Sequence, residues 1–99
     1  MLAIMGYIHL DPEDVDAFVS DIRAISLSTK AEEGCLFYSI ALDDRPAGRF
    51  VVAQRWQDRQ ALMAHIEKGE TLAFLKTWKD RMRNELHEYE LLSERPLIG

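Results

Sequence analysis

The chain has 99 residues, of which 47% are hydrophobic and 29% are charged, and its formal net charge is −5 at pH 7. This length predicts a single domain over residues 1–99, and the composition excludes a disordered or low-complexity chain. The sequence has no long basic stripe, which argues against a general nucleic-acid binder, and the single Cys excludes an intrachain disulfide and a Cys-cluster metal site. Without a long apolar run or a signal-peptide pattern, we expect a cytoplasmic protein that has no membrane partner.

The amino-terminal third predicts a strand followed by a helix. Residues Leu2 to Leu10 are apolar at almost every position, which is typical of a strand covered on both faces. Asp11 and Pro12 predict a helix start, since Asp can cap the helix and Pro suits its first position. We expect the helix to end before Gly34, which favours a left-handed stop.

The next segment predicts a hairpin and a second helix. Strand-like alternation covers residues 35–42 and 49–56, and the turn-rich residues 43–48 between them predict an antiparallel pair. Asp58 can cap the helix that follows, and we expect Gly69 to break or bend it. The inward stripe of this helix would contain Leu62, His65, Ile66 and Gly69.

The remaining residues predict a further helical stretch, a last strand and a tail. The stretch carries apolar side chains at Leu72, Leu75, Trp78 and Met82. Alternation predicts a strand over residues 86–92, and a tail begins at about residue 93. The order β-α-β-β-α-β predicts an α+β, ferredoxin-like fold, with a four-stranded antiparallel sheet and the helices on one face.

This arrangement leaves one face of the sheet bare, although the first three predicted strands carry apolar residues on both faces. A large bare apolar face is unusual on a soluble monomer. Its simplest cover is the same face of a second copy, related by twofold symmetry. The sequence therefore predicts a homodimer.

His65 is the most prominent polar residue, because it lies in the apolar stripe of the second helix directly before Ile66. This position aims the imidazole between helix and sheet, where it is either an ordinary core histidine or part of a site. Other ring-bearing side chains could line an apolar pocket or form plain core. These residues are Tyr7, His9, Tyr38, Trp56 and Trp78.

Metal and thiol chemistry gain no support from the sequence. The three histidines fall on different predicted elements and lack metal-ligand spacing, so no metal site is predicted. Cys35 begins a strand rather than a helix and has no evident cation beside it. It is therefore interpreted as structural.

A set of residues in the middle of the chain forms a moderately specific pattern. It consists of Glu33 to Leu36, Tyr38, the turn 43–46, Phe50, Trp56, Asp58, Ala61, Leu62, His65 and Phe74. Together they resemble the antibiotic biosynthesis monooxygenase family, including its quinol-monooxygenase-like members, and the likeness extends over roughly residues 1–92. The family implies ferredoxin-like subunits that pair into a dimeric α+β barrel, in agreement with the dimer predicted above.

The resemblance implies a monooxygenase that oxidises a small aromatic, a quinol or a polyketide-like phenol with molecular oxygen and no cofactor. The deprotonated substrate supplies the electrons, so the site needs an enclosed pocket and a base. At matching positions, His65 and Tyr38 would be the catalytic residues. Trp56 and Phe74 would shape the substrate pocket, to which helix spacing adds Trp78. Tyr7 and His9 complete the candidate pocket from the first strand.

Two departures from related patterns limit what the resemblance implies. Gln54 stands where the family often has Glu, and an amide cannot act as a carboxylate base. The first strand lacks the Asn of haem-degrading relatives, so haem degradation is disfavoured. Two alternatives stay open at this point: a non-catalytic small-molecule-binding dimer, and a structural domain whose pocket is filled by its own side chains.

Overall fold

The computed structural model describes residues 1–98; Gly99, the last residue of the predicted tail, lies outside the described residues. The elements are β1 Leu2–Leu10, α1 Val15–Lys30, β2 Cys35–Asp44, β3 Arg49–Trp56, α2 Arg59–Glu67, α3 Gly69–Trp78 and β4 Met82–Glu90. The strands form one antiparallel sheet in the order β2-β3-β1-β4. The predicted ferredoxin-like fold is confirmed. None of the helices within residues 1–98 is long and apolar enough to cross a membrane.

The capping residues act where the sequence predicted them. Asp11 accepts a hydrogen bond from the Glu13 amide at 2.9 Å and opens a short 3-10 turn that leads into α1. Asp58 accepts from the Ala61 amide at 2.8 Å at the start of α2. Each cap satisfies a backbone donor that the first helical turn leaves without a partner. The two caps thereby fix where each helix leaves the sheet.

The predicted break in the second helix is confirmed, and it falls at Lys68. This residue has extended backbone angles, φ −63° and ψ 138°, and Gly69 begins α3. The predicted start of the last strand at residue 86 was wrong by four residues. Met82 continues the helical spacing of α3 in the sequence, but it pairs with Leu10 of β1 in the sheet. The strand also ends at Glu90 rather than at residue 92.

The helix-covered face of the sheet carries two separate groups of buried side chains. The first core cluster contains Ile8, Leu10, Val15, Phe18, Ile22, Phe50, Val52 and Trp78. The second core cluster contains Leu2, Tyr38, Trp56 and Leu62. The first joins α1 and α3 to the sheet and the second joins α2 to it, so the helix-covered interior has two distinct ends.

The other face of the sheet, here called the open face, keeps large apolar side chains exposed. Met5 and Phe37 are 51% and 50% exposed. Tyr7, Val51 and Tyr89 are also exposed there. An apolar cleft of about 400 Å³ crosses β1, β3 and β4, and Met5, Tyr7, Val51 and Tyr89 are among its lining residues. Both apolar faces expected from the sequence are therefore present, and the helices cover one of them.

Candidate active site

Three rings of the predicted site meet where α2 lies on the sheet. His65 points inward from α2 and is only 7% exposed. Its imidazole stacks on the Trp56 indole with ring centroids 4.8 Å apart, and the Tyr38 ring stands edge-on to it at 6.0 Å. Strands β2 and β3 bring Tyr38 and Trp56 to the same face of the sheet. The structure thus joins three of the seven predicted residues into one aromatic cage around an imidazole.

A carboxylate that the sequence analysis did not single out completes this cage. Glu32 lies in the loop between α1 and β2, and its side chain is 14% exposed. Its Oε1 lies 2.8 Å from His65 Nδ1, and its Oε2 accepts a hydrogen bond from Lys68 Nζ at 3.3 Å. Within residues 1–98, His65 Nε2 has no hydrogen-bond partner, and no fully buried side-chain nitrogen or oxygen lacks one. Nε2 therefore keeps some access from outside the core.

The environment of Tyr38 favours its neutral form. Burial raises the pKa of this phenol to about 12, with smaller contributions from the charges of Glu32 and Cys35, while a hydrogen bond with Thr29 opposes the rise. A phenol with so high a pKa keeps its proton at neutral pH. Tyr38 is therefore suited to donate a hydrogen bond and unsuited to act as a base.

Gln54, where the family pattern often has Glu, orients the cage. Its Oε1 accepts a hydrogen bond from the Trp56 indole Nε1 at 3.0 Å. In the sheet Gln54 pairs with Ile4 on one side and with Tyr38 on the other, so the amide sits between apolar and aromatic neighbours. A neutral acceptor satisfies the indole there without the desolvation cost of a charge.

The structure places Phe74 and Trp78 with the first core cluster, apart from His65. The Phe74 ring lies 5.5 Å from that of Phe18. Trp78 is 1% exposed and meets the same Phe18 ring edge-on at 5.0 Å. Its indole Nε1 donates to Asp21 at 2.8 Å. Both residues thus pack α3 against α1, and neither lies in the His65 cage.

Tyr7 and His9 lie on the open face, on the other side of the sheet from His65. The His9 ring bonds Glu85 across the β1–β4 pair, and this bond holds the pKa of Glu85 below its ordinary value. The Arg49 guanidinium lies over the Tyr7 ring, 5.3 Å from its centroid. These two predicted pocket residues therefore belong to another surface than the cage.

One feature of the sequence could have pointed to Glu32. Carboxylates at the carboxyl end of a helix oppose the helix dipole, and Glu32 lies two residues after the end of α1. A residue that is locally unfavourable at such a position often makes a tertiary contact that compensates for it.

Cys35, three residues later, is partly buried, and burial raises the pKa of its thiol, which disfavours the reactive thiolate.

The clefts of the described chain lie around the cage rather than inside it. A cleft of about 380 Å³ is lined by Lys30 and residues 35–39, which include Tyr38. A second, of about 260 Å³, is lined by Glu33, Gly34 and residues at the start of and along α2. His65 lines neither of them.

Comparison with known proteins agrees with the fold and with the sequence pattern. Residues 1–77 match the sequence model of the family described as antibiotic biosynthesis monooxygenase. YcnE of Bacillus subtilis (strain 168), named as a provisional monooxygenase, is 27% identical over 95 residues, which cover 89% of this chain and all of YcnE. A Deinococcus radiodurans protein of similar provisional description superposes with a TM-score of 0.85 at 20% identity, over the full length of both chains. PA3566 from Pseudomonas aeruginosa superposes with a TM-score of 0.80 at 25% identity, over 93% of this chain and 94% of its own.

Proposed function

The chain belongs to the antibiotic biosynthesis monooxygenase family, and from this premise we propose that it is a cofactor-independent monooxygenase of a small phenol or quinol. The observation that carries the proposal is the buried imidazole of His65, stacked on Trp56 and faced by Tyr38. An aromatic cage with one proton-accepting group suits a flat ring that must lose a phenolic proton.

The proposed reaction needs no group beyond these side chains and oxygen. His65 takes the proton of the phenol, and the electron-rich phenolate then reduces O2. One oxygen atom bonds to a ring carbon and replaces its hydrogen, and the other leaves as water, so that a phenol plus O2 yields a quinone plus water. Tyr38, neutral at working pH, donates a hydrogen bond to the oxygen that carries the developing charge.

The apolar walls of the cage have a part in this chemistry. Trp56 is fully buried and Leu62 is 5% exposed, so bulk water has little access to the ring of His65. Excluding water strengthens the electrostatic interactions inside the site and protects a reactive intermediate. The same cage suits a non-catalytic binder of small aromatics, so binding and turnover have to be measured separately.

We also propose that the protein acts as a homodimer formed through the open face. All four strands expose apolar side chains there, and a cleft of about 400 Å³ crosses β1, β3 and β4. Such a surface suits a large obligate interface, on the order of 2,000 Å² of total buried area. Light scattering should give twice the 11.4 kDa of one chain at micromolar concentration, and the mass of one chain would overturn the dimer.

The activity is tested by oxygen uptake with a panel of phenols and hydroquinones. Rates are taken above the autoxidation of each compound in buffer, and quinone formation is followed in the same samples. We expect His65→Ala to lower turnover by roughly 10²-fold or more, and Tyr38→Phe to have a smaller effect because it keeps the aromatic wall. Circular dichroism and light scattering control for folding and assembly. If the wild type binds these compounds but takes up no oxygen, the proposed monooxygenase activity is wrong and the protein is a non-catalytic binding protein.

A further inference from the structure

Glu32 stands out among the ionisable groups that the proposed reaction does not use. It lies on a loop, yet its carboxylate is 14% exposed and both of its oxygens have partners. Oε1 meets His65 Nδ1 at 2.8 Å, and Oε2 meets Lys68 Nζ at 3.3 Å. Lys68 is the residue at which the chain breaks between α2 and α3. The α1–β2 loop and the end of α2 are therefore held together at one carboxylate beside the cage.

This contact decides which nitrogen of the imidazole carries the proton. An ionised carboxylate can only accept hydrogen bonds, so the partner nitrogen Nδ1 must carry the hydrogen. In the neutral ring the lone pair is then on Nε2, which has no hydrogen-bond partner within residues 1–98. The ion pair with Lys68 keeps Glu32 in place and leaves one oxygen for His65.

We propose that Glu32 is a positioning residue for His65: it fixes the Nδ1–H tautomer and the ring orientation, and so presents Nε2 as the proton acceptor for the phenol. This assignment rests on the proposed function. When Nε2 takes the substrate proton, the imidazolium that forms faces a carboxylate at hydrogen-bond distance, so the developing charge is stabilised where it arises. Glu32 does not touch the substrate and acts only through His65.

The tautomer can be measured without any substrate. In protein labelled with 15N, long-range proton–nitrogen correlation distinguishes a protonated from an unprotonated ring nitrogen. The chain has three histidines, and the signals that disappear in His65→Ala are assigned to His65. In alkaline solution, where an imidazole is neutral, we expect wild-type His65 to be protonated at Nδ1 and unprotonated at Nε2. A ring protonated at Nε2, or an equal mixture of the two tautomers, would overturn the proposal whether or not the Glu32 variants fold.

The catalytic consequence is tested with a matched pair of variants. Glu32→Gln removes the carboxylate that faces His65, whereas Glu33→Gln removes the same charge from an exposed neighbour. We expect Glu32→Gln to lower kcat by about 10²-fold with KM changed less than about threefold, Glu32→Asp to recover part of the loss, and Glu33→Gln to match wild type. Equal losses in Glu32→Gln and Glu33→Gln, or a loss confined to KM, would contradict a positioning role. If no phenol supports oxygen uptake in the wild type, the proposed function fails, while the tautomer still decides the assignment of Glu32.

Discussion

Replacing Gly6 with Ala tests how closely β1 and β4 approach each other. Gly6 has φ +146°, a conformation that L side chains rarely adopt, and an added Cβ would lie 1.9 Å from the backbone oxygen of Glu85. Because Cβ contacts under 3.0 Å are essentially never seen, β4 has to retreat by about 1 Å. Backbone strain costs about 1–3 kcal/mol, and the ladder hydrogen bonds lost add about 1 kcal/mol each. We expect Gly6→Ala to lower the free energy of unfolding by about 3–5 kcal/mol, a large share of ordinary domain stability.

The assay is urea denaturation followed by circular dichroism at one fixed protein concentration, since the stability of a dimer depends on concentration. Gly69→Ala is the matched control, because Gly69 begins α3 and nothing lies within 4 Å of its added Cβ. We expect this control to leave stability unchanged or to raise it by up to about 1 kcal/mol. A Gly6→Ala protein within about 1 kcal/mol of wild type would refute the close approach of the two strands.

Three further predictions concern other buried groups. Because the pKa of Tyr38 is raised to about 12 in the folded chain, its contribution to the free energy of unfolding should be fully present below about pH 10. The free energy of unfolding should then fall by about 2–3 kcal/mol between about pH 10 and pH 12. Urea denaturation across this range should show no such fall in Tyr38→Phe. Trp78→Phe should cost about 2 kcal/mol in urea denaturation, because it removes the indole hydrogen bond to Asp21, and an unchanged midpoint would contradict that bond. Cys35 should react more slowly than free cysteine with a disulfide reagent at neutral pH, and an equal or faster rate would show an unshifted thiol.

Local patterns predicted most of the fold, and the failures lie where tertiary contacts decide. Alternation and turn residues located β1 and the β2–β3 hairpin, since these signals are contained in short segments. Met82 was assigned to helical spacing because its pairing with Leu10 joins residues 72 positions apart. The apolar spacing of α3 continues in the sequence past Trp78, so the sequence alone does not show where the helix ends and β4 begins.

The site was predictable to the same extent. Helical spacing predicted that His65 faces inward between α2 and the sheet, and Tyr38 and Trp56 were predicted only as possible pocket or core residues on their strands. The periods do not show which end of the sheet each helix covers. The sequence therefore could not show that Trp78 packs in the first core cluster, away from His65. The hydrogen bond between His65 and Glu32 joins residues 33 positions apart, so neither the helical nor the strand period reveals it.

The two outer strands of the sheet differ in how they are protected against further pairing. Charged side chains occur all along β4, which reads MRNELHEYE, and such charges discourage a second strand from adding to an edge. β2 carries no charged side chain from Cys35 to Leu42. An uncharged, apolar edge of this length is a template for aggregation. Adding a Lys to this strand should therefore lower the tendency of the protein to aggregate.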